Sequence, residues 1–236
     1  MFKYEMHMHT SETSACATAT GAQQARRYKS EGYDGIVITD HFFNGNCLPE
    51  IRECNDWKQK VDMFCKGYEA AKAEGDKIGL KVFFGFEYCY EGADMLVYGL
   101  DKGWLYDHPE CIEISFFDFA ELAHKSGAVI VHAHPFREAD YLREIRLVPK
   151  WVDAVEVFNS GNHNDIYNDR AYRYAKDYGF VMTGGTDNHH LTAGRLSGIT
   201  ADRQIHSTDD IIYLIKTGGV NPIFPDDYKF ENGEYL

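Results

Sequence analysis

Short apolar runs, often rich in β-branched residues, alternate along this chain with longer amphipathic segments. The apolar runs at 6–10, 35–39, 81–86, 94–99, 128–132, 153–158 and 180–183 predict strands. Several are apolar nearly throughout, the pattern of strands covered on both faces in a parallel sheet. Between them lie helix signals with starts and stops. Thr20 caps a helix over 22–30 that Gly32 ends, and Pro49 opens a long helical segment to about 76. Ser115 caps a helix through Lys125 stopped by Gly127, and a charged helix is expected over 138–146. A helix over 165–178 closes at Gly179, and Ser207 opens an apolar one to Thr217 before Gly218-Gly219. Strand and helix alternate about seven times without a long linker or composition break, so residues 1–236 are expected to form one α/β domain with a parallel sheet.

Polar chemistry gathers where those runs end. In extended backbone alternate side chains share a face, so His7 and His9 project together, about 6.5–7 Å apart along the chain. A lone His-x-His is usually incidental. Here four further clusters follow in order: Thr39-Asp40-His41, Gly85-Phe86-Glu87, His132-Ala133-His134-Pro135 and Gly185-Thr186-Asp187-Asn188-His189. A barrel brings every C-terminal strand end to one rim, whereas an open sheet spreads them along a line. The recurrence therefore favours a barrel with a multinuclear metal site at its mouth.

Composition narrows the partners. At 236 residues, with 44% apolar residues, 16 Tyr and 15 Phe, the chain can bury a substantial core. A formal charge of −13 argues against a long nucleic acid as substrate but leaves room for a small phosphorylated one, because bound cations supply local positive charge. The six cysteines include no Cys-x-x-Cys pair, no export signal is visible and no apolar run approaches a membrane span, so a cytoplasmic protein with free thiols and no membrane partner is expected. Cys16 and Cys47 follow metal motifs and are candidate thiolate ligands, although incidental thiols are commoner. No Ser-centred nucleophile elbow or Gly-rich phosphate loop is present.

Taken in order, the five clusters resemble the PHP (polymerase and histidinol phosphatase) family of metal-dependent phosphoesterases over nearly the whole length. The resemblance implies a distorted (β/α)7 barrel holding two or three divalent ions, and hydrolysis of phosphomonoesters or, in some branches, of nucleic-acid ends and cyclic phosphoadenosine compounds. It implies that His7 and His9 bind one ion with Asp187, that Glu87 bridges two with His134 on the second, and that His41 and His189 bind a third. Two departures stand out. Relatives commonly carry an Asp or His five or six residues after the second histidine, where this chain has Ser14 and Ala15, with Glu12 a nearby substitute. Many also carry a His on the strand after Gly-x-Glu, where Asp94 is the available stand-in.

Imidazole and carboxylate donors suit Zn²⁺, Mn²⁺ or Fe²⁺. Ions about 3.5–4 Å apart clamp a phosphate and activate water. Glu87 and Asp187 are thus the catalytic carboxylates, and Arg137 and Arg195, just past metal motifs, the candidate phosphate forks. The residue before Pro avoids the helical region, so His134 is expected in extended backbone. His132 is a ligand, an orienting partner or a buried core histidine. Asp40 is expected to bind a ligand imidazole or a backbone N–H, and Asn159 to cap a turn or face a leaving group. Gly184-Gly185 reads as a tight turn. The leading expectation is a hydrolase of a small phosphomonoester or short nucleotide. The alternative is amidohydrolase-type cleavage of an amide or lactone, a chemistry that typically adds a bridging lysine, and none stands at a strand end here. A non-catalytic metal-binding domain is the third possibility.

Overall fold

The computed structural model describes residues 1–140, 142–191 and 194–229. Among these residues nine strands form one sheet: β1 (Phe2–Glu5), β2 (Gly35–Ile38), β3 (Lys81–Tyr90), β4 (Ala93–Tyr98), β5 (Val129–Ala133), β6 (Ala154–Asn159), β7 (Val181–Gly185), β8 (Ile199–Ala201) and β9 (Val220–Pro222). Their order is β7-β6-β5-β4-β3-β2-β1-β8-β9. The sheet curls until β7 lies beside β8 and β9, giving a nearly closed barrel. Parallel pairing joins β1–β2, β2–β3, β5–β6 and β6–β7. Antiparallel pairing of β4 with both β3 and β5, and of β8 with β1 and β9, breaks the regular βα repeat. The expected barrel is therefore present, and its distortion has a definite source.

Eight α-helices accompany the sheet among the described residues: α1 (Gly21–Ser30), α2 (Pro49–Glu53), α3 (Trp57–Phe64), α4 (Lys66–Ile78), α5 (Lys102–Asp107), α6 (Phe116–Lys125), α7 (Ile166–Tyr178) and α8 (Thr208–Thr217). Thr20 and Ser207 form reciprocal capping boxes with Gln23 and Asp210, and Ser115 caps α6. The segment expected as one helix over 49–76 is three. Asp56 accepts the Gln59 N–H and so starts a fresh helix where continuation was expected. No helix forms over the described residues of 138–146. Its charged side chains pair outward, Glu138 with Arg170 and Arg146 with Glu91, and without an apolar stripe to bury a short helix is marginal.

The apolar residues divide between two main clusters. Phe42, Phe64, Phe86 and Phe119 stack in the larger one, while Tyr4, Val37, Tyr98 and Val131 pack between the strands and extend to Ile211 and Ile215 of α8. No described helix is long and apolar enough to cross a membrane.

Candidate metal centre

β1 stops at Glu5, not at the expected 10, because Glu5 Oε1 takes the N–H groups of Met6 and His7 at 2.9 and 2.8 Å. The chain nevertheless stays extended: Met8 pairs singly with Asn188, and His9 N–H donates to the Asn188 carbonyl at 2.9 Å. The alternation holds, and the Nε2 atoms of His7 and His9 meet at 3.2 Å.

Glu87 lies inside β3 rather than at a strand end. Its Oε1 is 3.1 Å from His7 Nε2 and 3.2 Å from His134 Nε2, while Oε2 is 2.6 Å from His41 Nδ1 and 3.5 Å from His9 Nε2. Asp187 Oδ1 lies 3.2 Å from His9 Nε2 and 3.5 Å from His7 Nε2. The His189 ring stacks on His9 at 4.2 Å between centroids, and its Nδ1–H donates to the Asp187 carbonyl at 2.8 Å. Donor atoms thus form three sets, each within 4.8 Å: His7/His9/Asp187, His7/Glu87/His134 and His9/His41/His189. The seven principal ligands expected from sequence converge. Asp94 stands outside these sets, its Oδ2 3.9 Å from His134 Nε2.

The residues fit divalent ions. Glu87 is 1% exposed and gathers four imidazoles around its two oxygens, with His41 Nδ1 2.6 Å from Oε2, a crowding of donor atoms that a cation would hold together. His134 (φ +28°) and Asp187 (φ +55°) adopt left-handed backbone that non-glycine residues avoid, strain that clusters at functional sites. For His134 this overturns the extended conformation expected before Pro135. Its N–H is drawn to Glu156 Oε2 at 2.9 Å and its carbonyl accepts the Arg137 N–H at 3.0 Å, so the chain turns there.

The electrostatics follow from mixed burial and charge. Burial lowers the His7 imidazole, but Asp187, Glu156 and Glu87 outweigh it and hold it well above its ordinary value. His9 goes well below, through burial and then the neighbouring His189 and His41 rings. Burial opposes ionisation of Glu87 and Asp187, but His41 and His7 hold the first, and His7 and Arg137 the second, well below the usual carboxylate range. Burial and then Glu87 push Asp94 up to about 6. Burial raises the Cys16 thiol, yet hydrogen bonding to His189 and His41 prevails and brings it down to about 6.

Around the cluster lies a layer only partly anticipated. Asp40 accepts from Thr10 N, Thr10 Oγ1 and Ser14 Oγ at 2.6–2.7 Å, so it fixes the loop after His9, and a backbone N–H is among its partners as expected. Glu156, not singled out from sequence, accepts from His7 Nδ1 at 3.0 Å and from Asn159 Nδ2 at 2.8 Å. It presents His7 Nε2 to the site. A charged residue inside the apolar run Ala154-Val155-Glu156-Val157-Phe158 was the available signal, since buried charge needs partners. Gly185 belongs to β7 and makes no tight turn; a Cβ there would lie 2.3 Å from Glu156 Oε1 and 2.5 Å from His7 Cβ. His132 is fully buried with neither ring nitrogen hydrogen-bonded among the described residues, edge-on to Tyr174, which places it among core residues.

The two arginines part company. Arg137 Nη2 reaches Asp187 Oδ2 at 2.7 Å and Asn159 Oδ1 at 2.9 Å. Arg195 is clasped two-pronged by Asp165 at 2.9 and 2.7 Å, yet it lines a cavity of about 300 Å³ with Asp187 and His189. A larger hollow of about 760 Å³ opens beyond Arg137, lined also by Arg143, His163 and Tyr167.

The nearly closed α/β barrel is shared with several solved proteins. The chain superposes on a two-domain protein from Bacteroides vulgatus containing a predicted PHP-like metal-dependent phosphoesterase, with TM-score 0.66 and 17% identity, covering 95% of this chain and 65% of that one. It thus spans about two thirds of that protein's length. A Bifidobacterium adolescentis protein described as a metal-dependent phosphoesterase matches with TM-score 0.57 and 16% identity, covering 93% of this chain and 97% of that one. An amidohydrolase from Chromobacterium violaceum, solved with sulfate and no metal, matches at 0.51 and 14%, covering 80% and 88%. No protein-family model and no curated protein sequence matches the chain. The chain has the PHP-like barrel fold.

Proposed function

We propose that this protein is a metal-dependent phosphoesterase that hydrolyses a small phosphomonoester or short nucleotide. The observation that carries this reading is the linkage of three donor sets through shared His7 and His9 at one barrel mouth beside Arg137. Two or three divalent ions (Zn²⁺, Mn²⁺ or Fe²⁺) held by these residues would supply Lewis acidity toward phosphate oxygens and make water acidic enough to react near neutral pH.

The chain's own residues divide the remaining work. Glu87, presenting one oxygen to His7 and His134 and the other to His41 and His9, is the residue that would hold adjacent ions and offset their repulsion with its charge. Glu156 holds the His7 proton on Nδ1, keeping Nε2 a donor lone pair. Arg137, already beside Asp187, is the first candidate to grip a phosphate oxygen, and Arg195 the second, on exchange of its Asp165 partner. The −13 charge weighs against long polymers.

The structural likeness to an amidohydrolase keeps amide or lactone hydrolysis as the second reading. Against it, among the described residues no lysine contacts the cluster. The test is a panel of phosphomonoesters, nucleotides, amides and lactones assayed with Zn²⁺, Mn²⁺ and Fe²⁺ after chelation. Phosphomonoester turnover lost in Glu87→Gln is expected. Turnover of amides or lactones alone would transfer the assignment to the second reading, and full phosphatase activity in Glu87→Gln would overturn the bridged-ion mechanism.

A further inference from the structure

Arg137 touches the donor cluster through Asp187, and the structure shows what aims it. Its Nη2 donates to Asn159 Oδ1 at 2.9 Å and to Asp187 Oδ2 at 2.7 Å, while Nε donates to Asn162 Oδ1 at 2.9 Å. Two of these three acceptors are amide oxygens. An amide keeps its oxygen pointed one way only when its NH₂ end is held the other way. Asn159 Nδ2 is held by Glu156 Oε2 at 2.8 Å, and Asn162 Nδ2 by Asn168 Oδ1 at 2.7 Å.

Asn168 stands in the first turn of α7 and is 1% exposed. Its Oδ1 also accepts the Asn159 N–H at 3.0 Å, so one buried oxygen ties the end of β6 to the loop that follows it. Its Nδ2 lies 3.4 Å from the Asn159 carbonyl and 3.5 Å from Asp165 Oδ1, on the carboxylate that clasps Arg195. Asp165 occupies the position just before α7 where an Asp ordinarily caps a helix, yet its side chain makes no capping bond and is given to Arg195 instead. Within the loop, a Cβ on Gly161 would lie 3.1 Å from Asp187 Oδ2 and 3.2 Å from Arg137 Nη2, so the backbone packs directly on the guanidinium.

Resting on the phosphoesterase reading above, we infer that Asn168 is a positioning residue for phosphate recognition. By fixing the Asn159 backbone and the Asn162 amide, it holds the Arg137 fork against Asp187 at the barrel mouth. An apolar side chain at 168 would free the Asn162 amide to turn its NH₂ toward Arg137 Nε, setting two donors face to face, and the guanidinium would lose its anchor.

The test reads Arg137 first directly and then through substrate. In the full-length, metal-free protein the Arg137 Nε–H gives an NMR signal identified by its absence in Arg137→Lys; bonded to Asn162, it should be sharp and slow to exchange with solvent. Asn168→Leu should erase it by fast exchange. Asn162→Leu, which cuts the same link at a part-buried residue, should do likewise, while Asn168→Asp, which keeps the accepting oxygen, should retain it. With metal restored and the phosphomonoester panel above, both leucine variants should raise KM roughly threefold to tenfold, the worth of one hydrogen bond, with kcat within about twofold of the parent. Asn162→Leu should add nothing to the KM of Arg137→Lys. A protected signal that persists in both leucine variants, or a lost signal with unchanged KM, overturns the role of Asn168. Signals that behave as expected in a parent hydrolysing no phosphomonoester keep Asn168 as the anchor of Arg137 and overturn the phosphoesterase reading instead.

Discussion

Glu156→Gln removes one charge and almost no volume, and the structure dictates how the amide will settle. Glu156 Oε2 receives two donors, the His134 N–H and Asn159 Nδ2, whereas Oε1 receives one, His7 Nδ1–H. The glutamine oxygen will therefore take the Oε2 position and its NH₂ will face His7. A donor there accepts no proton from Nδ1, so the His7 proton moves to Nε2, the atom aimed at Glu87 and Asp187. Loss of such an orienting partner costs about 10–100-fold in metal affinity, or about 1.4–2.8 kcal/mol. Calorimetric titration of the metal-free variant with Zn²⁺ should show that loss in the inner equivalents, with an unfolding midpoint of the metal-free protein close to the parent's. Affinity within twofold of the parent would refute the tautomer argument.

Three further outcomes follow from particular contacts. His132 is buried without a hydrogen-bond partner among the described residues, and burial, then His134, lowers its pKa from 6.5 to about 3. The unfolded chain therefore binds a proton below pH 6.5 that the folded one refuses, so stability falls with acidification. At pH 5 this amounts to about 2 kcal/mol, and His132→Leu should flatten the stability–pH profile of the metal-free protein by about that much; parallel profiles would contradict it. Arg137→Lys should raise KM for a phosphorylated substrate by roughly tenfold, a fork-to-point-charge loss of about 1.4 kcal/mol, with unchanged KM removing Arg137 from phosphate binding. Gly185→Ala should destabilise by about 1–3 kcal/mol in denaturant unfolding, since its methyl would press on Glu156 and His7; a neutral change would mean that β7 can yield.

Much of this arrangement was legible in the chain. The candidate ligand histidines and carboxylates announced themselves because each lies in or just after an apolar run, and helix ends at Thr20, Ser115 and Ser207 because capping is local chemistry. What escaped was set by distant partners. The break at Asp56 depended on which of two helix signals prevailed. β4 gave no hint of its antiparallel direction, which only its neighbours fix. Glu156 looked like one more strand residue until His7 and His134 were placed against it. The left-handed turn at His134 ran against the local preference before proline, because long-range hydrogen bonds held it there.

Glu87 sits in the interior of a ten-residue strand, bridged to His41 on one side and laddered to Leu96 on the other. Its imidazole and carboxylate companions lie in the segments that follow β1, β2, β5 and β7. On the proposed metal-dependent reading, demetallation should accordingly proceed from the periphery inward, an ion held by His41 and His189 exchanging before one held at Glu87, so that ageing preparations would lose metal in a fixed sequence.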